Sequence, residues 1–202
     1  MFAVLLDARW PEQVPLDVWE RCEGPVRGTE EVPHAVVRLL GRHLKPGGGT
    51  LLTTREDEIP HDCEVLIAPS RGDALFQARA VMARAREVGQ WEREQTHASL
   101  IPYLLEEAGE VAQEVRAGGG DAALCAELGD VLLQVLFHAR IAEQRGAFDL
   151  DDVAMSFVRK MRSRAPYLFD GTVGVVPVAE QERLWAEGKN RERCATIDRH
   201  GE

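Results

Sequence analysis

The run ALCAELGDVLLQVLFHA, residues 123–139, is apolar on nearly every side at helical spacing, yet Glu127, Asp130, Gln134 and His138 fall on one polar stripe along it. A helix this apolar belongs at the centre of a fold. A carboxylate enclosed with it must be ion-paired, protonated or bound to metal, because an unpaired charge leaves water only at a large cost in free energy. No Lys or Arg stands three or four residues from Glu127 or Asp130. The chain must therefore fold so that something else meets these two acids.

A second acidic stretch precedes it. In YLLEEAGEVAQEV, residues 103–115, no Lys or Arg occurs until Arg116. Leu104, Leu105, Ala108, Val111, Ala112 and Val115 share one helical arc, while Glu106, Glu107, Glu110 and Glu114 occupy the adjoining one, Glu107 nearest the apolar boundary. Like charges three or four residues apart cost a helix about 0.2 to 0.5 kcal/mol per pair. The sequence GGGD, residues 118–121, breaks the chain between the two helices, and so short a turn favours antiparallel packing. Two such helices, each with carboxylates three residues apart, can aim them at one point. All-oxygen ligands suit a hard divalent cation, Mg2+ first and Mn2+ as the substitute. A di-iron bundle would need Glu-x-x-His on its helices. The three such triplets here end at His34, His61 and His97; Pro33 and Pro60 interrupt the first two, and none lies on the acidic pair.

Around these helices the chain divides by texture. Residues 1–72 alternate short elements: strands at 2–6, 50–54 and 63–68, helical periods at 16–22 and 34–44, and Pro and Gly between them, with residues 47–49 (GGG) read as a turn before a strand. From residue 73 long helical periods take over, at 73–88, 99–117, 122–144, 150–163 and 179–190. Asp149 to Asp152 supply N-capping groups, and Pro166 follows the helix they start. The expected fold is mainly α: a helical bundle over 73–193, preceded by a small α/β segment over 1–72 and followed by a polar tail over 194–202.

The 202 residues allow one dominant domain, and 45% hydrophobic with 29% charged residues is the composition of a folded chain. A net charge of -10 argues against stable nucleic-acid binding and against an anionic membrane surface. The cysteines, Cys22, Cys63, Cys125 and Cys194, form no CxxC pair, which fits free thiols in a reducing cytoplasm. No basic leader opens the chain, and no segment reads as a run of about 18 apolar residues suited to a membrane. His138 reads as a core histidine hydrogen-bonded to a neighbour, and Cys125 as small and buried.

The spacing E-E-x-x-E at Glu106, Glu107 and Glu110, followed by E-x-x-D at Glu127 and Asp130, resembles the signature of the MazG family, all-α nucleoside triphosphate pyrophosphohydrolases. WEREQTHASLIPYLLEEAGEV (91–111), ELGDVLLQVLFHARIAEQRGAFDLDDV (127–153), KMRSRAPYLF (160–169) and WAEGKNRER (185–193) carry the resemblance over roughly 73–193. It implies Glu107, Glu110, Glu127 and Asp130 as metal ligands with Glu106 beside them, Glu106 or Glu107 as the base, and Lys160, Arg164, Trp185 and Lys189 as contacts to the nucleotide's phosphates and base. It further implies Mg2+-dependent hydrolysis of an NTP or dNTP, normal or modified, to the monophosphate and pyrophosphate. A homodimer or homotetramer, with phosphate-binding residues near a subunit interface, belongs to the same expectation. The alternative is a non-catalytic helical module that binds nucleotide or a partner around a structural metal. Where the family commonly has Cys-Pro-Trp-Asp, this chain has Gly89, Gln90, Trp91 and Glu92. Many relatives carry two such domains and this chain one, while residues 1–72 resemble the N-terminal extension of longer relatives, a methylase-like remnant with no cofactor fingerprint.

Overall fold

The computed structural model describes residues 1–199, with side chains as far as residue 193. The tail expected over 194–202 lies from residue 200 onward outside the described residues. The chain forms two compact units, 1–84 and 85–202.

The first unit is a small α/β layer. Strands β1 (Phe2–Leu5), β2 (Gly24–Gly28), β3 (Pro46–Thr53) and β4 (Glu64–Ile67) form a parallel sheet in the order β2-β3-β1-β4. Helices α1 (Val18–Arg21) and α2 (His34–His43) lie between the first three strands in sequence. Central parallel strands are buried on both faces and so read as continuous apolar runs. In β1 and just beyond it, Ala3, Val4, Leu5 and Leu6 are all buried. Val4, Leu6, Leu52 and Leu66 pack with Val18, Cys22, Val32, Leu40 and Leu44 into one core. Asp7, which interrupts the apolar run in sequence, is fully buried at the end of β1; the Arg9 side chain donates to it at 2.8 Å and holds its carboxyl down to about 2.

Two features depart from expectation. Strand β2 was not foreseen, since Gly and Pro dominate it. The glycines at 47–49, expected as a turn, lie inside β3, where the register against β2 slips between Gly24 and Val26 and Gly49 takes the left-handed φ of 85°.

The second unit is helical. Helix α3 (Ala74–Val88) runs into it, followed by α4 (Gln90–Glu94), α5 (Ile101–Ala117), α6 (Asp121–Glu143), α7 (Leu150–Arg164) and α8 (Val178–Arg199). The short α4 was not anticipated. It forms where the chain departs from Cys-Pro-Trp-Asp, and Trp91 on it meets Tyr103 and Phe137 edge-on, with ring centroids 5.7 and 5.8 Å away. Arg86, 8% exposed, holds the far end of α4: it donates to the carbonyls of Glu92 at 2.5 Å and Gln95 at 3.3 Å, and to Gln144 Oε1 at 2.9 Å.

Helix α5 ends on Gly118 in the left-handed conformation, φ 65°, and α6 runs back along α5. Asp149 and Asp152 form a reciprocal capping box at the start of α7, the Asp152 N–H donating to Asp149 Oδ1 at 2.9 Å and the Asp149 N–H to Asp152 Oδ2 at 3.2 Å. Helix α8 packs on α7 through Gly188, which is buried: a Cβ there would come within 2.6 Å of the Ser163 carbonyl oxygen and 2.8 Å of Arg164 Cα.

The expectation of an enclosed α6 holds for half of it. Gln134, Leu136, Phe137, Ala139, Ile141 and Ala142 are buried, whereas Leu128 is 52% exposed. Cys125, expected to be buried, is exposed. By length and a mean hydropathy of 1.4, α6 is also the one described helix able to cross a membrane, contrary to the expectation that no segment would be. Glu127 and Asp130 near its middle, and its packing along α5, are features of a core helix.

Candidate metal and nucleotide site

Because α5 and α6 share a short glycine connection and pack along each other, their acidic stripes meet. Glu107, Glu127 and Asp130 each offer a carboxylate oxygen such that all three oxygens lie within 4.8 Å of one another. Glu107 and Glu127 are half-buried and Asp130 is exposed. Burial pushes the Glu107 carboxyl up, and the charges of Asp130, Glu110 and Glu106 push it further. Burial likewise raises Glu127, followed by Glu110, Asp130 and Glu114. Among the described residues no Lys, Arg or His forms an ion pair with any of these acids. Glu110 thus stands against both half-buried glutamates, while Glu106 is exposed and acts on Glu107 through its charge alone.

The donor set fits a divalent cation. Oε2 of Glu127 is buried and has no hydrogen-bond partner, so one carboxylate oxygen is shut from water in a field of like charge. A hard cation would satisfy that oxygen and relieve the repulsion together.

The basic residues lie on α7 and α8. Arg164 is held by Glu192, with Nε 3.2 Å from both carboxylate oxygens and a terminal nitrogen 2.5 Å from Oε2. Its guanidinium also lies over the Trp185 ring, 5.2 Å from the centroid. The pairing with Glu192 raises Arg164 and lowers Glu192, to which Ser163 and Lys160 also contribute. Lys160 and Lys189 are exposed. Glu192 is not among the residues that the sequence singles out; its place seven residues after Trp185, on the same helical face, is the available signal.

His138 is hydrogen-bonded as expected, and its partner is His97. The rings stack at 4° with Nδ1 to Nδ1 at 2.8 Å, and a terminal nitrogen of Arg145 lies 3.0 Å from His97 Nε2. Arginine can only donate, so His97 Nε2 accepts and its Nδ1–H donates to His138. That leaves the buried Nε2 of His138 as an unpaired N–H. Burial, and then His97, lower the proton affinity of His138.

A mainly helical chain whose antiparallel pair α5 and α6 gathers three carboxylates able to hold a divalent cation is the class that fold and site define. Residues 95–169 match the family model of the MazG nucleotide pyrophosphohydrolase domain, and residues 1–88 match that of the MazG N-terminal domain. The chain belongs to the MazG family. It is similar to a nucleoside triphosphate pyrophosphohydrolase of Mycolicibacterium smegmatis, 41% identical over 207 residues, a match covering 96% of this chain and 63% of that protein. A protein of the same name from Mycobacterium tuberculosis is 39% identical over 208 residues, with the same two coverages of 96% and 63%. The chain thus spans 63% of the length of these relatives. The crystal structure of a mazG-related protein from Thermotoga maritima superposes with a TM-score of 0.50 at 27% identity, covering 56% of this chain and 97% of that one.

Proposed function

We propose that the chain is a Mg2+-dependent nucleoside triphosphate pyrophosphohydrolase that cleaves between the α and β phosphates and releases nucleoside monophosphate and pyrophosphate. The observation that carries this reading is the convergence of Glu107, Glu127 and Asp130 with no cationic partner among the described residues. The names of the relatives that match nearly the whole chain support it. NTPs or dNTPs, normal or modified, are the substrate class, and housekeeping of the cytoplasmic nucleotide pool is the role.

Glu107, Glu110, Glu127 and Asp130 would hold the ion, Mg2+ or Mn2+. When bound, a divalent ion neutralises phosphate charge and polarises the reacting phosphorus. Either Glu106 or Glu107 orients the attacking water and takes its proton. The water oxygen bonds to the α phosphorus, and the α–β bridging oxygen leaves with the pyrophosphate. Lys160 and Arg164 receive phosphate oxygens through charge-assisted hydrogen bonds, while Trp185 and Lys189 contact the base and the remaining phosphate charge.

The assembly is a homodimer or homotetramer. Leu105 at 68% exposure and Leu128 at 52% leave apolar surface on α5 and α6 that a second copy would cover. Incubating the purified chain with a panel of normal and modified triphosphates in Mg2+ tests the activity. Equal amounts of monophosphate and pyrophosphate are expected; orthophosphate as the product, or no turnover across the panel, would overturn the assignment.

A further inference from the structure

We propose that Glu192 is an internal competitor for the substrate's phosphate: its carboxylate sits on the Arg164 fork, and substrate binding exchanges one anion for the other. This rests on the assignment of Arg164 to phosphate made above.

The geometry is that of an anion site already filled. A guanidinium fork receives carboxylate and phosphate oxygens in the same way. Here both Glu192 oxygens lie against Arg164 Nε, and Oε2 lies 2.5 Å from a terminal nitrogen. One face of the guanidinium is covered by Trp185. Trp185, Gly188 and Glu192 recur at three and four residues on α8, so one face of that helix carries all three. Gly188, with no Cβ, lets that face close on Ser163 and Arg164, which brings the Glu192 carboxylate into reach of the fork. Lys160, one turn before Arg164 on α7, adds positive charge to the same spot.

The pair is placed to open. The Arg164 side chain is 20% exposed and that of Glu192 37%, so solvent and an incoming polyanion both reach it. Solvent reaching both side chains screens the pair, so a ligand richer in charge than one carboxylate displaces it. Without such a ligand, Glu192 balances the charge of Arg164.

Calorimetric titration of the full chain with magnesium tripolyphosphate tests the exchange without depending on a base preference. Glu192→Gln should bind the polyanion about fivefold more tightly, the upper end for a pair so exposed. Glu192→Asp, which keeps the charge but shortens the reach to the fork, should tighten binding in the same direction and decides the matter if the glutamine variant fails to fold. Arg164→Gln should weaken binding, and in that background Glu192→Gln should have no further effect. If both Glu192 variants bind equally or more weakly while Arg164→Gln weakens binding, Glu192 merely positions the arginine, and the inference falls with the proposed function intact. If Arg164→Gln leaves binding unchanged, the phosphate assignment itself is wrong and the inference falls with it.

Discussion

Glu107 on α5 and Asp130 on α6 bring carboxylate oxygens within 4.8 Å of each other, and the charge of Asp130 helps to raise the proton affinity of Glu107. Two like charges are held together by helices that pack for other reasons, and the cation that would reconcile them is the centre of the proposed chemistry.

Glu107→Gln and Asp130→Asn should each lower pyrophosphate release in Mg2+ by at least about 100-fold, the upper end of what losing even an outer-shell partner costs a metal site. The helical circular dichroism should stay unchanged. Steady-state turnover and a far-ultraviolet spectrum of each variant check this, and near-normal turnover in either would remove that residue from the site.

The same acids set a pH dependence. Their carboxyls are raised in the folded state, so the native protein holds their protons more tightly than the unfolded chain does. The stability they contribute is complete below the ordinary glutamate value of 4.5 and is lost as pH rises through the raised values. Asp7, held down to about 2, acts in the opposite sense and below that window. In EDTA, Glu127→Gln should therefore melt higher than wild type at pH 7, with the gap closing toward pH 4. Mg2+ should raise the wild-type Tm at pH 7 more than that of the variant. Thermal melts across pH, with and without Mg2+, measure both.

Lys189→Ala should chiefly raise KM, by about tenfold, the lower end for a hydrogen bond to a charged group. An unchanged kcat would mean the lysine serves ground state and transition state alike. A loss confined to kcat would place it in the chemical step.

Gly188→Ala should destabilise the protein by about 1 to 3 kcal/mol, the usual range for overpacking, because the new methyl meets backbone atoms of Ser163 and Arg164 as well as Arg164 Cγ, and the backbone cannot swing aside. Urea titration gives the stability change. The KM for triphosphate should rise in parallel, since Trp185 and Lys189 ride on the helix that is pushed away.

Light scattering at micromolar concentration should report a dimer or tetramer. Leu128→Asp, placing a charge on exposed apolar surface, should shift the mass toward the monomer.

The long helices were legible because apolar residues recur at helical spacing over many turns, and the start of α7 because Asp149 and Asp152 are a capping pair. The acidic meeting point was legible for a related reason: Glu127 and Asp130 had no local cation, and a glycine turn returned them to Glu107. Elements built from tertiary context were not. Strand β2 pairs through a Gly-Pro segment with no strand pattern of its own, and α4 is too short to show a period. The exposure of Cys125 and of the first half of α6 escaped because apolar periodicity records what a helix could bury, not whether this chain alone buries it. Glu192 escaped because its partner lies on another helix: its spacing from Trp185 marks a shared face of α8 but does not name Arg164 on α7 as the group it meets.

Arg86 shows what such a tertiary contact demands of chemistry. Three carbonyl oxygens, of Glu92, Arg93 and Gln95, and an amide oxygen surround it, so it ties the chain end of α4 to the end of α6 by direction rather than by opposite charge. A planar five-donor head can serve acceptors that diverge in this way, whereas an ammonium, compact and strongly hydrated, would satisfy one or two and strand the others. At this seam, lysine is therefore a foreign residue despite its equal charge.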